Sequence, residues 1–224
     1  PSESVNFCLN PSAESSANFT TTGTATVTRS TSFSRQVTAE EMYSFRVQTS
    51  AGTSGLSLTT ASLPSAATYI SCWIRGSFAN LQFKIGSTTV TPTAYETDGA
   101  WTWYVTEATP FTGGQVSGQT AVLIIMDSGS DAYVDHVVVQ QGSWTTAFHG
   151  SFPGCRWEGV AHESQSTLLA VTTDGQPNLS AGVINNMDDT TTAVVSSILG
   201  LGLPDVDQVT VDTVDRGRMF QSAS

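Results

Sequence analysis

Positive charge is scarce in this sequence of 224 residues. Lysine and arginine together number eight, of which Lys84 is the single lysine, against 19 aspartate and glutamate residues. The formal net charge is therefore −11 at pH 7. Proteins that bind nucleic acid need basic surfaces to neutralise phosphates. This charge balance argues against nucleic acid as a partner.

Long apolar runs are also missing. No stretch approaches the roughly 20 apolar residues of a membrane-spanning helix, so we expect no membrane insertion. The opening segment, PSESVNFCLN, lacks the basic start and apolar run of a signal peptide. Either such a leader was removed or the protein reaches the outside by another route. The missing initiator methionine and the abrupt end predict that the sequence is part of a longer protein.

Cysteine is rare. The three cysteines, Cys8, Cys72 and Cys155, cannot all pair within one chain, and no CxxC pair supports a zinc site. We expect buried free thiols that behave as small apolar side chains. A disulfide between Cys8 and Cys72 is the alternative.

Short apolar clusters that alternate with polar residues are abundant instead. Hydrophobic residues make up 39% of the chain and charged residues only 12%, while serine and threonine fill most polar positions. Such alternation is typical of strands with one buried face. Glycine-rich, Asn-Pro and Asp-Gly turn signals separate the clusters. The predicted strands are Val5–Leu9, Ala25–Ser30, Met42–Thr49, Leu56–Thr60, Thr68–Arg75, Leu81–Ile85, Trp101–Thr106, Thr120–Met126 and Ala132–Gln140. This spacing predicts an all-β jelly-roll β-sandwich.

The segment after the last of these strands predicts a domain junction. It passes through several glycines and a proline and contains Phe148, Cys155 and Trp157. We therefore predict a jelly roll over residues 1–149 and an extended connector over 150–180. Residues 181–224 are expected to begin a second, incomplete β unit or an oligomerisation segment, within which 186–199 fits a short helix or a strand.

Several motifs carry a resemblance to a known family. FCLNPSAESS, EEMYSFRV, TYISCWIRG, GAWTWYVTEATPF and AYVDHVVVQQGS, in this order, resemble the jelly roll of carbohydrate-binding modules. The exit segment, FHGSFPGCRWEGVAHES, resembles the junction after such modules in minor tail proteins of phages that infect actinobacteria. SSILGLGLPDVDQVTVDTVDRG is similar to the opening of distal-tail-type β domains of long-tailed phages.

This resemblance implies a virion structural protein of a phage tail tip, whose jelly roll attaches to glycan of the host cell envelope during host adsorption. Assembly in the host cytoplasm would keep thiols reduced and need no signal peptide. The implied partners are other tail proteins and further copies of the chain, as a trimer or hexamer. Two alternatives stay open: an assembly or decoration module that binds no sugar, and the accessory carbohydrate-binding module of a secreted polysaccharide-degrading enzyme.

A sugar site can be placed on one predicted strand. Within Tyr69–Arg75, the even-numbered residues belong in the core and the odd-numbered residues share the other face. Trp101 and Trp103 are expected in the core, which would turn Tyr104 outward toward Trp73. The predicted carbohydrate-binding residues are Tyr69, Trp73, Arg75 and Tyr104. The alternative for this row is packing beneath a neighbouring loop or subunit.

The resemblance also implies a structural calcium ion, because modules of this kind often hold one near the first turn and the last strand. Glu14 and Asp135 fall at these places, and calcium prefers six to eight oxygen ligands. Otherwise these carboxylates would accept hydrogen bonds from backbone amides. No other cofactor is expected.

Catalytic motifs are lacking, so we predict that the protein is not an enzyme. The three histidines show neither HExxH nor HxH spacing, and no GxSxG sequence occurs. Glu96, Asp98 and Glu107 could form a glycosidase pair only at a suitable separation, which a sequence does not show. His136 is expected to be a hydrogen-bonded sheet residue rather than a ligand.

Overall fold

A computed structural model describes residues 4–36, 41–142, 148–152 and 154–168. Ser4–Leu168 form one compact unit. Its strands build antiparallel sheets, and the predicted all-β jelly-roll β-sandwich is confirmed. In the part of the chain that is described, no helix has the length and apolar character needed to cross a bilayer.

The larger sheet has six strands in the order β3-β4-β12-β6-β10-β9. Its strands are β3 (Ala25–Ser30), β4 (Ser44–Thr49), β6 (Thr68–Ser77), β9 (Thr93–Asp98), β10 (Trp101–Val105) and β12 (Asp131–Gln141). The longest, β12, pairs with β4 on one side and β6 on the other. β9 is the exposed edge strand.

The second sheet has five strands in the order β2-β5-β11-β7-β8. Its strands are β2 (Phe19–Thr22), β5 (Ser54–Thr59), β7 (Gln82–Ile85), β8 (Thr88–Val90) and β11 (Ala121–Met126). One short helix, α1 (Gly113–Val116), lies where the sequence predicts only a glycine turn. The Gln115 side chain caps it, because its Oε1 accepts a hydrogen bond from the Thr112 amide at 2.8 Å.

The main core lies between these two sheets. Phe45, Ile74 and Val134 contribute from the six-stranded sheet, and Phe83 and Ile124 from the five-stranded sheet. The predicted core face of β6 is confirmed, since its even-numbered residues belong to this core. Burial of such β-branched and aromatic side chains is the main stabilising contribution to a two-sheet fold.

A third sheet, of three strands, extends the compact unit beyond the predicted end of the jelly roll. Its order is β1-β14-β13, from β1 (Ser4–Asn6), β14 (Ser166–Leu168) and β13 (Cys155–Trp157). The predicted boundary after residue 149 is therefore wrong, because the first part of the predicted connector pairs with the N-terminal strand. The predicted second β unit, residues 181–224, lies outside the described residues.

The three cysteines are free. Cys8 and Cys72 are fully buried in the main core, as the sequence predicts, and are not joined by a disulfide. Burial raises the pKa of Cys8 to about 12 and that of Cys72 well above its usual range. Burial likewise raises the pKa of the partly exposed Cys155 to about 12.

Thiol labelling tests this arrangement. At pH 8 a thiol with a pKa near 12 is ionised in only about one molecule in ten thousand, and the thiolate is the reactive form. We expect iodoacetamide to leave Cys8 and Cys72 unlabelled in the folded chain and to label Cys155 slowly. Mass spectrometry of the same sample in urea should show three labels. Rapid labelling of Cys8 in the folded chain would contradict the structure.

Candidate functional site

A cluster of aromatic side chains lies on the six-stranded sheet, on the face away from the main core. Trp103 of β10 is directly opposite Trp73 of β6, and their rings are stacked with centroids 6.1 Å apart. Trp101 belongs to the same cluster, and Tyr133 packs against it. We call this surface the outer aromatic face. Trp101 and Trp103 are buried, as expected, but they belong to this second cluster rather than to the main core.

A segment between β3 and β4 covers part of the outer aromatic face. The Arg35 guanidinium lies 3.5 Å from the centroid of the Trp73 ring, and Phe33 meets Tyr133 edge to face at 4.9 Å. Arg35 also pairs with Asp98 at the edge strand, with Nη1 2.6 Å from Oδ2. Trp73 is consequently only 4% exposed. The low exposure of Trp73 favours the alternative in which the outward-facing residues of Tyr69–Arg75 pack beneath a loop.

Among the described residues of this face, Tyr95 is the most exposed aromatic residue. It extends from the exposed edge strand β9, is 56% exposed, and meets Trp103 edge to face at 5.3 Å. The predicted strands do not include Thr93–Asp98, so Tyr95 is absent from the predicted site. The alternation of Tyr95 with small and acidic residues is the sequence pattern that could have indicated this strand.

Three of the four predicted sugar-binding residues share the outer face, and one does not. Tyr69, Trp73 and Arg75 alternate along β6 on this side, with Arg75 3.7 Å from the Phe33 ring centroid. Tyr104 lies on the opposite side, because the register pairs it with Cys72. It packs against the main core and meets Phe78 at 5.8 Å. The expectation that Tyr104 faces Trp73 is wrong.

Asp135 anchors the covering segment. It lies opposite Trp73 in the β12–β6 pairing and is 1% exposed. Its Oδ2 accepts a hydrogen bond from the Arg35 amide and its Oδ1 from the His136 amide, both at 2.8 Å. Burial raises the pKa of Asp135 well above its usual range. These amides oppose the rise, whereas the nearby Glu41 and Glu14 carboxylates add to it.

Glu14 makes a similar anchor. Its Oε1 accepts hydrogen bonds from the amides of Met42 at 2.7 Å and Tyr43 at 2.8 Å. Arg29 donates to the carbonyls of Ala13 and Glu14, each at 2.6 Å. Amide and guanidinium donors thus approach oxygens that calcium would need as ligands. This arrangement suits calcium poorly, and the calcium ion remains a prediction from the resemblance.

Two histidines, one of them at a β-bulge, meet one carboxylate. The β12–β6 register shifts between Asp135 and Val138, and His136 adopts a φ of 47°. Nε2 of His136 lies 2.9 Å from Oε1 of Glu41. Nε2 of His149 is hydrogen-bonded to the same oxygen. We call Glu41, His136 and His149 the Glu41 cluster; their side chains are at most 1% exposed.

Aromatic rings enclose this cluster. His149 contacts Phe152 at a centroid distance of 4.3 Å and stacks on Trp157 at 5.6 Å. Trp157 also contacts His162 at 4.8 Å. Burial lowers the pKa of His149, against the opposing effect of its Glu41 hydrogen bond, which favours a neutral imidazole at pH 7. His136 is hydrogen-bonded, as predicted, but at a bulge rather than in a regular ladder.

The predicted junction residues pack around this same region. Phe148 is 3% exposed, and its carbonyl accepts a hydrogen bond from Nδ2 of Asn6 at 3.1 Å. Cys155 and Trp157 begin and end β13. These residues close the compact unit instead of leading out of it.

A glycine allows the stacking of Trp157. A Cβ added at Gly150 would lie 2.3 Å from Cγ of the Trp157 ring. We therefore expect Gly150→Ala to displace this ring from His149 and to destabilise the fold by roughly 1–3 kcal/mol. Thermal unfolding followed by circular dichroism measures the loss. Gly114→Ala is the matched control, because nothing lies within 4 Å of the added Cβ. Equal melting temperatures for the two variants would contradict the packing described.

Comparisons with known proteins give structural matches only. No protein-family model and no curated protein sequence matches the chain. Among solved structures, the enzymatically active domain of tailspike protein 4 of bacteriophage CBA120 has a TM-score of 0.45 at 12% identity. The match covers 61% of this chain and 21% of that one, so the chain spans about a fifth of the tailspike domain's length.

Carbohydrate-binding modules are also among the matched structures. The family 11 module from Clostridium thermocellum, in complex with a mixed-linked β-1,3-1,4 tetrasaccharide, has a TM-score of 0.39 at 15% identity. That match covers 64% of this chain and 98% of the module. TmCBM61, in complex with β-1,4-galactotriose, has a TM-score of 0.40 at 16% identity and covers 61% and 99% of the two chains.

Proposed function

We propose that the chain is a structural protein of a phage tail tip and that its jelly roll binds host cell-envelope glycan through the outer aromatic face. The observation that carries the glycan proposal is Tyr95. This exposed ring lies beside the tryptophan cluster, on a sheet face that the main core does not use. The protein acts by binding and carries out no reaction.

The chemistry of this face suits a sugar. Aromatic rings stack on the apolar faces of pyranose rings, and buried tryptophans behind an exposed ring hold it in place. The Arg35–Asp98 pair, beside the same rings, offers both donors and acceptors to hydroxyl groups. The edge strand β9, which carries Tyr95, is exposed along its whole length.

Two features support the tail-tip part of the proposal. The segment over residues 148–164 resembles the exit from such modules in phage minor tail proteins. In addition, Ser4 pairs with Leu168, so the chain enters and leaves the compact unit at neighbouring points. A module attached at one place can be displayed on a larger assembly. In a trimer or hexamer, several weak sites would bind one cell wall with high avidity.

The covering of Trp73 by Arg35 favours a second candidate, an assembly or decoration module without sugar binding. In that case the outer aromatic face packs against a tail protein. An accessory module of a secreted polysaccharide-degrading enzyme would use the same face for glycan and differ only in its neighbours. Detection of the chain on purified virions by a specific antibody separates the tail proposals from the secreted one.

Tyr95→Ala tests the glycan site directly. Loss of a stacking ring should weaken retention on insoluble host cell walls by at least about tenfold, which corresponds to about 1.4 kcal/mol. The measurement is a depletion assay with the full chain over a range of cell-wall concentrations. Val160→Ala is the matched control, since Val160 is an exposed apolar residue outside this face, at 68% exposure.

The outcomes of this assay separate the two tail candidates. Retention lost in Tyr95→Ala but kept in Val160→Ala supports sugar binding. Absence of wild-type retention on cell walls, and on a panel of soluble polysaccharides, would overturn the glycan proposal and leave the assembly module.

A further inference from the structure

We propose that the Glu41 cluster is a structural site for a divalent transition-metal ion, with zinc as the ion it takes. This site is separate from the glycan face and does not depend on the proposed function. Its ligands are Nε2 of His136, Nε2 of His149 and the Glu41 carboxylate.

The geometry brings the three donors to one point. One ligand atom from each residue lies within 4.8 Å of those from the other two. Ligand atoms around tetrahedral zinc are roughly 3.3 Å apart, from bonds of about 2.0 Å. Nε2 of His136 and Oε1 of Glu41 are 2.9 Å apart, so only small side-chain movements would admit an ion.

The types of ligand atom determine which metal ion the site prefers. Two imidazole nitrogens and one carboxylate suit zinc and its neighbours in the first transition row, whereas calcium and magnesium prefer oxygen ligands. The fourth position is left for a water molecule. Three protein ligands with an open fourth position are typical of catalytic zinc sites, but the burial of all three side chains here favours a role in stability.

A further buried carboxylate lies beside the proposed site. Glu41 and Asp135 are each about 1% exposed, and Oδ1 of Asp135 lies 3.9 Å from Nε2 of His136. Asp135 therefore lies just outside the set of proposed ligands.

The metal-free state is a hydrogen-bonded form of the same cluster. The Ser151 amide faces Nδ1 of His149 at 3.3 Å, which places the imidazole proton on Nε2, where it donates to Glu41. Metal binding at Nε2 displaces this proton, and the neutral ring takes one up at Nδ1, so no net proton is released by His149. The long Ser151 contact is given up in exchange for a metal bond.

Bound metal would connect distant parts of the chain. Glu41 precedes β4, His136 lies at the bulge of β12, and His149 lies between β12 and β13. A metal that joins such ligands stabilises the folded state, because the unfolded chain lacks the assembled site. The ion would therefore fasten the C-terminal part of the compact unit to the six-stranded sheet.

Metal titration of the full chain tests the proposal. After removal of bound metal with a chelator and dialysis, zinc at 100 times its Kd should raise Tm by roughly 5–10 °C. Calcium and magnesium at the same concentration should have little effect. A rise with calcium alone would point instead to the oxygen ligands Glu14 and Asp135 and would overturn the proposal.

Variants identify the ligands. Glu41→Gln keeps a hydrogen-bond acceptor but removes the charge, and His149→Gln removes an imidazole nitrogen; each should reduce zinc affinity at least tenfold by calorimetry. His162→Gln and Cys155→Ala are matched controls that remove a nearby imidazole and a thiol outside the cluster. Unchanged affinity in both cluster variants would contradict the assignment.

X-ray absorption at the zinc edge decides the matter without any variant, should a buried substitution prevent folding. The wild-type complex should show scattering from two imidazoles and from oxygen, with no sulfur ligand. A spectrum with sulfur or without imidazole would place zinc elsewhere, and no binding by the wild-type chain would rule the site out.

Discussion

The bulge in β12 is the constraint on which the functional part of this structure depends. Before it, β12 pairs on both sides and divides its side chains between the core and the outer face. At the bulge the backbone changes register, and His136 takes a positive φ that a non-glycine residue adopts rarely. Asp135 and His136 are consecutive residues at this distortion. A regular strand would have placed both in the ladder.

Asp135 links the outer aromatic face to the Glu41 cluster. One carboxylate oxygen accepts a hydrogen bond from the amide of Arg35, whose guanidinium covers Trp73. The other oxygen accepts a hydrogen bond from the amide of His136, beside the Glu41 cluster. One side chain thus contacts both the Glu41 cluster and the segment that covers the tryptophans.

Strand identity in the two large sheets could largely be predicted from local alternation. Ile70, Cys72 and Ile74 face the core as expected, because a period of two within one strand determines which side chains share a face. Placement across strands could not be predicted in this way. Trp103 and Tyr104 exchange their expected faces because the register with β6, a long-range property, decides which residue meets Trp73.

Local sequence patterns could not predict the Glu41 cluster either. Its residues have no motif spacing, and they meet only after β12 has bulged and the chain has returned toward β13. The absence of CxxC pairs says nothing about a site built from imidazoles and a carboxylate of distant segments. A hint was available in the aromatic and histidine content of the exit segment, whose rings pack around His149.

The position of β14 between β1 and β13 has a mechanical consequence. A load applied at Leu168 along β14 would run parallel to both neighbouring ladders. Such a load shears the hydrogen bonds of these two ladders together, whereas a pull that separated Ser4 from Leu168 sideways would open them one at a time. The pairing of β14 on both sides therefore makes this end of the compact unit more resistant to a load along the strand than to one across it.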